Sequence, residues 1–151
     1  MERSDDVLPR ARAVLTAERA RLAVLGVPGE LRLTGGSSVP GTVTRGDVDL
    51  HLRVAAEDLA AVVATLRGVY VVVHPEIWQA TLVTFEVPDT PLPTGVAVTP
   101  VGSEHDVRFT RTWARLGADP ALLAEYTALK AGDAAGYEAR KSAFFDRLAR
   151  P

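Results

Sequence analysis

Asp47 and Asp49 stand one residue apart at the head of a regularly alternating stretch, and the doublet Gly35-Gly36, followed by Ser37 and Ser38, precedes them with ten residues between. In a strand, residues i and i+2 point to the same face, so the two carboxylates project side by side. Aspartate is disfavoured in strands, and like charges on one face repel. A hard divalent cation, most naturally Mg²⁺, would resolve that repulsion. A glycine-rich loop bends sharply and can bring backbone N–H groups against phosphate. A phosphate cradle beside metal-binding carboxylates is the layout of a nucleotide-handling site.

The elements that must position these groups follow from periodicity. Leu31 to Leu33 predicts a short strand running into the loop. From Asp47 onward, Asp47, Asp49, His51 and Arg53 share one face while Val48, Leu50, Leu52 and Val54 share the other. Such a strand turns one face to the core and one to solvent or a cleft. Upstream, Leu8, Ala11, Leu15, Leu22 and Leu25 form a stripe that predicts a helix from about Val7 to Leu25. Ser4, Asp5 and Asp6 open it, Gly26 and Pro28 stop it, and the arginines from Arg10 to Arg21 read as its solvated face. Downstream, Glu57 to Leu66 predicts a helix and Val69 to Val73 a buried strand. Ala80 to Val87 and Val96 to Val101 predict two strands that pair as a hairpin around a proline-rich turn.

The last third is helical. Ser103 with Asp106 resembles a capping box opening a helix through about Leu116. Asp119-Pro120 supplies an N-cap and a first-turn proline for a helix over Ala121 to Ala131. A final helix from about Ala134 to Ala149 buries Tyr137, Phe144, Phe145 and Leu148 on one side. A sheet followed by clustered helices makes the class α+β.

Composition narrows the function. A chain of 151 residues fits one domain spanning 1–151, and 47% apolar residues supply an ordinary globular core. The absence of cysteine excludes disulfides and thiolate zinc sites. A net charge of −2 argues against a general nucleic-acid binder, whose footprint would be basic. No apolar run reaches the roughly 18–20 residues of a membrane span, and Met1 to Asp6 lacks a signal-peptide pattern, so the expected location is the cytoplasm. His51, His74 and His105 lack metal-ligand spacing, with His51 alone facing the expected cleft, and Trp78 and Trp113 read as packing residues.

Gly35-Gly36, a spacer, then Asp47-Val48-Asp49-Leu50 has the form of the nucleotidyltransferase signature. Its glycines let the backbone approach a triphosphate, and its aspartates hold the metal ions that align attacking and leaving oxygens. The longer run Gly35-Gly36-Ser37-Ser38-Val39-Pro40-Gly41, then Arg45-Gly46-Asp47-Val48-Asp49, closely resembles the GrpB family. Tyr126 and Lys130, then Tyr137, Lys141 and Phe144, look like that family's C-terminal Tyr-x-x-x-Lys elements. The resemblance runs from about Leu31 to the C-terminus.

The resemblance implies a polymerase-beta-like nucleotidyltransferase fold, a small mixed β-sheet with helices packed on it. It implies phosphate or nucleotide contacts from Gly35 and Gly36, hydroxyls from Ser37 and Ser38, and basic clamps from Arg45, Lys130 and Lys141. For Lys130 and Lys141 the competing reading is a solvated helix lysine. Asp47 and Asp49 would be the catalytic pair holding Mg²⁺ as cofactor, with a nucleoside triphosphate or phosphorylated small molecule as partner. Active members of the wider superfamily carry a third carboxylate on a neighbouring strand, and Thr94 to Thr99 has none. Glu86 on the partner strand is the candidate substitute metal ligand; as a hairpin residue it also reads as a plain surface glutamate. Two functions stay open: nucleotidyl transfer to an unknown acceptor, or a catalytically degenerate nucleotide- or phosphometabolite-binding module.

Overall fold

The computed structural model describes residues 1–151. Its strands are β1 (Glu2–Arg3), β2 (Glu30–Thr34), β3 (Val43–Thr44), β4 (Val48–Val54), β5 (Val71–Val72), β6 (Val83–Glu86) and β7 (Thr94–Pro100). Its α-helices are α1 (Ser4–Val24), α2 (Leu59–Arg67), α3 (Glu104–Ala118), α4 (Pro120–Ala131) and α5 (Tyr137–Ala149). Five strands form one mixed sheet in the order β2-β4-β7-β6-β5, with β4 and β7 parallel and the other pairs antiparallel. The α+β class, the mixed sheet and the helical C-terminal third agree with expectation.

The alternation in β4 decides what lies on each side of the sheet. Val48, Leu50, Leu52 and Val54 pack with Val96, Val98 and Phe85 in a core that α1 closes with Val7, Ala11, Val14 and Leu22, and α2 with Val62 and Leu66. The opposite face carries Asp49, His51 and Arg53, and the three C-terminal helices stand on that side around their own cluster of Leu116, Tyr126, Phe144 and Leu148. Ser103 accepts a hydrogen bond from the Asp106 backbone N–H and Asp119 accepts from those of Ala121 and Leu122, so both expected N-caps form.

Three expectations change. Val69 to Val73 is not a buried strand: only Val71 and Val72 pair, at the edge of the sheet, and Val71 is exposed while Tyr70 turns inward. Leu25 falls past the end of α1 and is exposed. Ser4 and Asp5 do not cap α1. The Thr42 backbone N–H instead donates to Ser4 Oγ at 3.1 Å and that of Gly41 to Asp5 Oδ2 at 3.0 Å, which ties the helix start to the end of the glycine loop. A small second sheet, β1 with β3, reinforces the same junction.

Candidate functional site

Each half of the glycine doublet makes room for a charged side chain. Gly35 has φ +74°, which favours glycine, and a Cβ built on it would overlap the Asp49 carboxylate. A Cβ on Gly36 would overlap Lys130 Nζ. Lys130 reaches the loop from α4, where its ammonium donates to the Val43 carbonyl at 2.7 Å and lies 4.6 Å from the Tyr126 ring centroid. Thr42 and Thr127 hydroxyls, 2.7 Å apart, add a second tie between loop and helix. The doublet therefore brings a carboxylate and an ammonium against the same turn of backbone.

The serines work inside the loop. Ser37 is buried; its hydroxyl donates to the Asp47 carbonyl and lies 2.9 Å from Thr44 Oγ1. The Ser38 hydroxyl donates to the Gly35 carbonyl at 2.7 Å. In this structure both hydroxyls shape the turn and hold the backbone that leads into Asp47.

Asp47 and Asp49 sit at the boundary of two cavities. On one side lies a hollow of about 350 Å³ lined by Gly36, Arg45, Tyr126, Lys130, Tyr137 and Lys141. On the other lies a cleft of about 630 Å³ between the sheet and α3 and α5, with Phe109, Trp113 and Phe145 among its walls. Asp47, Asp49 and Lys141 line both. Arg45, Lys130 and Lys141, far apart in sequence, thus converge on one hollow next to the acidic pair.

The charges at the boundary perturb one another. The Asp49 carboxyl is pushed up to about 6, first by burial and then by the Asp47 charge, against the pull of Lys141 and Lys130. Burial brings the Lys130 ammonium down to about 8, with the Lys141 and Arg45 charges adding and Asp47 and Asp49 opposing. Asp49 still presents accessible surface to the cavities, so an incoming cation can reach it. A repelling carboxylate pair open to solvent is a donor set that fits one Mg²⁺, which is commonly held by one or two carboxylates with phosphate and water completing its octahedron.

Glu86 does not join that pair. Asp49 is in register with Gly95 on β7, and Gly95 with Glu86 on β6. One strand therefore intervenes, a backbone separation of roughly 10 Å at about 4.8 Å per strand. Glu86 lines the same cleft, but no three Asp, Glu, His or Cys side chains gather closely enough to hold a metal ion. The β7 residue in register with Asp49 is Gly95, which brings no carboxylate to the pair.

Beyond the aspartates, the same face of the sheet carries a buried polar network that spacing alone did not reveal. Arg53 donates to both Asp106 oxygens, at 2.6 and 2.9 Å, and the Gly102 backbone N–H donates to Asp106 Oδ2 at 2.8 Å. Burial works against the Asp106 charge, yet the Arg53 and Gly102 bonds hold its carboxyl below the ordinary carboxylate value. Thr99 donates to Asp106 Oδ1 at 3.2 Å, and His51 Nε2 lies 2.7 Å from Thr99 Oγ1. His51 is 1% exposed, and burial lowers its ring to about 4, so it is neutral at pH 7. Trp113 packs on Tyr126 and Phe145 and also walls the cleft, whereas Trp78 packs on Phe85 in the core and donates to Thr84. The one signal that could have marked this wall is the i, i+3, i+4 spacing of Phe109, Thr112 and Trp113, which puts them on one helix face.

No family model matches the chain, and no curated protein matches it. Among solved structures, the crystal structure of conserved protein GrpB from Enterococcus faecalis superposes with a TM-score of 0.70, covering 93% of this chain and 91% of that one at 16% sequence identity. No helix is long and apolar enough to cross a membrane. The chain therefore has, over nearly its whole length, the α+β fold of that GrpB protein.

Proposed function

We propose that this chain binds the phosphates of a nucleoside triphosphate in the hollow formed by Gly36, Arg45, Lys130 and Lys141, with Mg²⁺ held by Asp47 and Asp49. The observation that carries the reading is the position of the acidic pair on the border between a basic hollow and an aromatic cleft. Lys130 and Lys141 are point charges suited to phosphate oxygens, and Arg45 can form paired hydrogen bonds to them. When bound, Mg²⁺ supplies charge neutralisation and alignment of the phosphoryl oxygens. Lys141, lining both cavities, is placed to orient the phosphate nearest the aspartates.

A second reading, binding without transfer, is favoured by Gly95 at the strand position in register with Asp49. Isothermal titration with Mg²⁺ and each of the four common nucleoside triphosphates tests the shared premise, with Asp49→Asn and Lys141→Met as controls. Saturable binding that weakens at least tenfold in both variants supports the site; no heat with any nucleotide refutes it. Mass spectrometry of overnight incubations then separates the two readings. Pyrophosphate release with a nucleotidylated product supports transfer, and tight binding with intact triphosphate supports the binding module.

A further inference from the structure

Two buried side-chain polar atoms in the chain have no hydrogen-bond partner, His51 Nδ1 and Thr112 Oγ1. Buried polar groups are otherwise almost always paired. These two come from different elements, β4 and α3, yet both residues line the aromatic cleft next to the aspartates. Their chemistry is set by the network behind them. Thr99 donates its only hydroxyl proton to Asp106, so the His51 Nε2–H donates to Thr99 Oγ1 and Nδ1 is left as a lone-pair acceptor. The Thr112 hydroxyl can both donate and accept.

An acceptor on β4 and a hydroxyl on α3 are thus left unmatched behind the cleft wall, and the wall's aromatic rings specify the shape of what would meet them. Phe109 stands edge-on to the His51 ring at a centroid distance of 5.3 Å, and Trp113 and Phe145, 5.6 Å apart, continue the aromatic surface. Aromatic walls of this kind favour a flat ring that stacks on them. A cleft of about 630 Å³ has room for a nucleoside.

We infer that the cleft is the subsite for the heterocycle of the bound nucleotide, whose ring on entry displaces the side chains that cover His51 Nδ1 and the Thr112 hydroxyl in the free protein and pairs an N–H with the first and a polar atom with the second. The inference rests on the phosphate and metal reading above, and it makes His51 and Thr112 specificity-determining residues. The ring lies on the α3 side of Asp49 and the phosphates on the α4 side, so one ligand spans both cavities across the acidic pair.

The test is isothermal titration of the full chain with Mg²⁺ and inorganic tripolyphosphate, and with each Mg²⁺–nucleoside triphosphate, for the wild type, Thr112→Val and Thr112→Ser. Tripolyphosphate reads the phosphate hollow alone. The expected result is tripolyphosphate binding equal in all three proteins, and tighter binding of at least one nucleotide that falls roughly tenfold in Thr112→Val and is retained in Thr112→Ser. Thermal unfolding of Thr112→Val should be unchanged or raised, because the lost hydroxyl has no partner to leave behind. Tripolyphosphate binding with no nucleotide preference, or a preference untouched by Thr112→Val, overturns the subsite while leaving the phosphate reading standing. No binding of either ligand overturns both. If Thr112→Val does not fold, nucleotide preference over tripolyphosphate in Thr112→Ser and the wild type decides the matter.

Discussion

Replacing Asp49 by Asn should make the free protein more stable at neutral pH, the opposite of what loss of an ordinary surface carboxylate does. Asp49 is held at about 6 against an ordinary 3.8, mainly because burial disfavours its charge and secondarily because Asp47 repels it. At about 1.4 kcal/mol per pH unit, that amounts to about 3 kcal/mol of opposition to the charged form. Asp49 has surface open to the cavities, so solvent screening reduces the effect, and about 1 kcal/mol is the working figure. The sign follows from proton counting: between about pH 4 and 6 the folded state holds more protons than the unfolded chain, so stability falls as pH rises through that window. The Asn variant lacks this loss. Its advantage should be near zero at pH 4 and reach about 1 kcal/mol by pH 7.5, or roughly 2–4 °C in melting temperature for a domain of this size. His51 also titrates on the acidic side, but it does so in both proteins and cancels in the difference. Circular dichroism melts of both proteins at pH 4.5, 6 and 7.5, with and without Mg²⁺, give the answer. Added Mg²⁺ should raise the wild-type melting temperature and leave Asp49→Asn unmoved. A variant less stable than the wild type at pH 7.5, or equally stabilised at pH 4.5, refutes the electrostatic account of the pair.

Further outcomes follow from the same geometry. Gly35→Ala should cost about 1–3 kcal/mol in urea denaturation, since it combines a positive φ with overlap on the Asp49 carboxylate. Gly36→Ser should leave stability nearly unchanged, because the obstructed atom is the flexible end of Lys130, but it should weaken tripolyphosphate binding several-fold in calorimetry. Lys130 loses its charge above about pH 8 in the free protein, so phosphate affinity should fall between pH 7 and 9.5, and Lys130→Arg should flatten that profile. Asp106→Ala leaves Arg53 and Thr99 without their acceptor and should destabilise the fold by about 3–5 kcal/mol, read from the urea midpoint.

Local chemistry was legible where one residue's neighbours along the chain determine its fate. The β4 alternation set Asp49, His51 and Arg53 on one face before any packing was known, and Asp119-Pro120 marked a helix start that the structure keeps. Val69 to Val73 shows the limit. β-branched composition describes a strand but not its position in a sheet, and only pairing placed it at the edge with two bonded residues.

The site divides along the same line. The residues themselves specified Asp49 on the face away from the core and a glycine loop ahead of it, because both depend on spacings of a few residues, whereas Asp47 falls just before β4 rather than within the strand. The tertiary structure decided that Arg45, Lys130 and Lys141 share a hollow, that β7 keeps Glu86 from the acidic pair, and that Ser37 braces the loop. It also decided that His51 and Thr112, sixty-one residues apart, meet the same cleft without partners. These depend on how β4, β6 and β7 order in the sheet and how three helices stand on it. Such contacts are long-range in the chain, and no local pattern of residues encodes them.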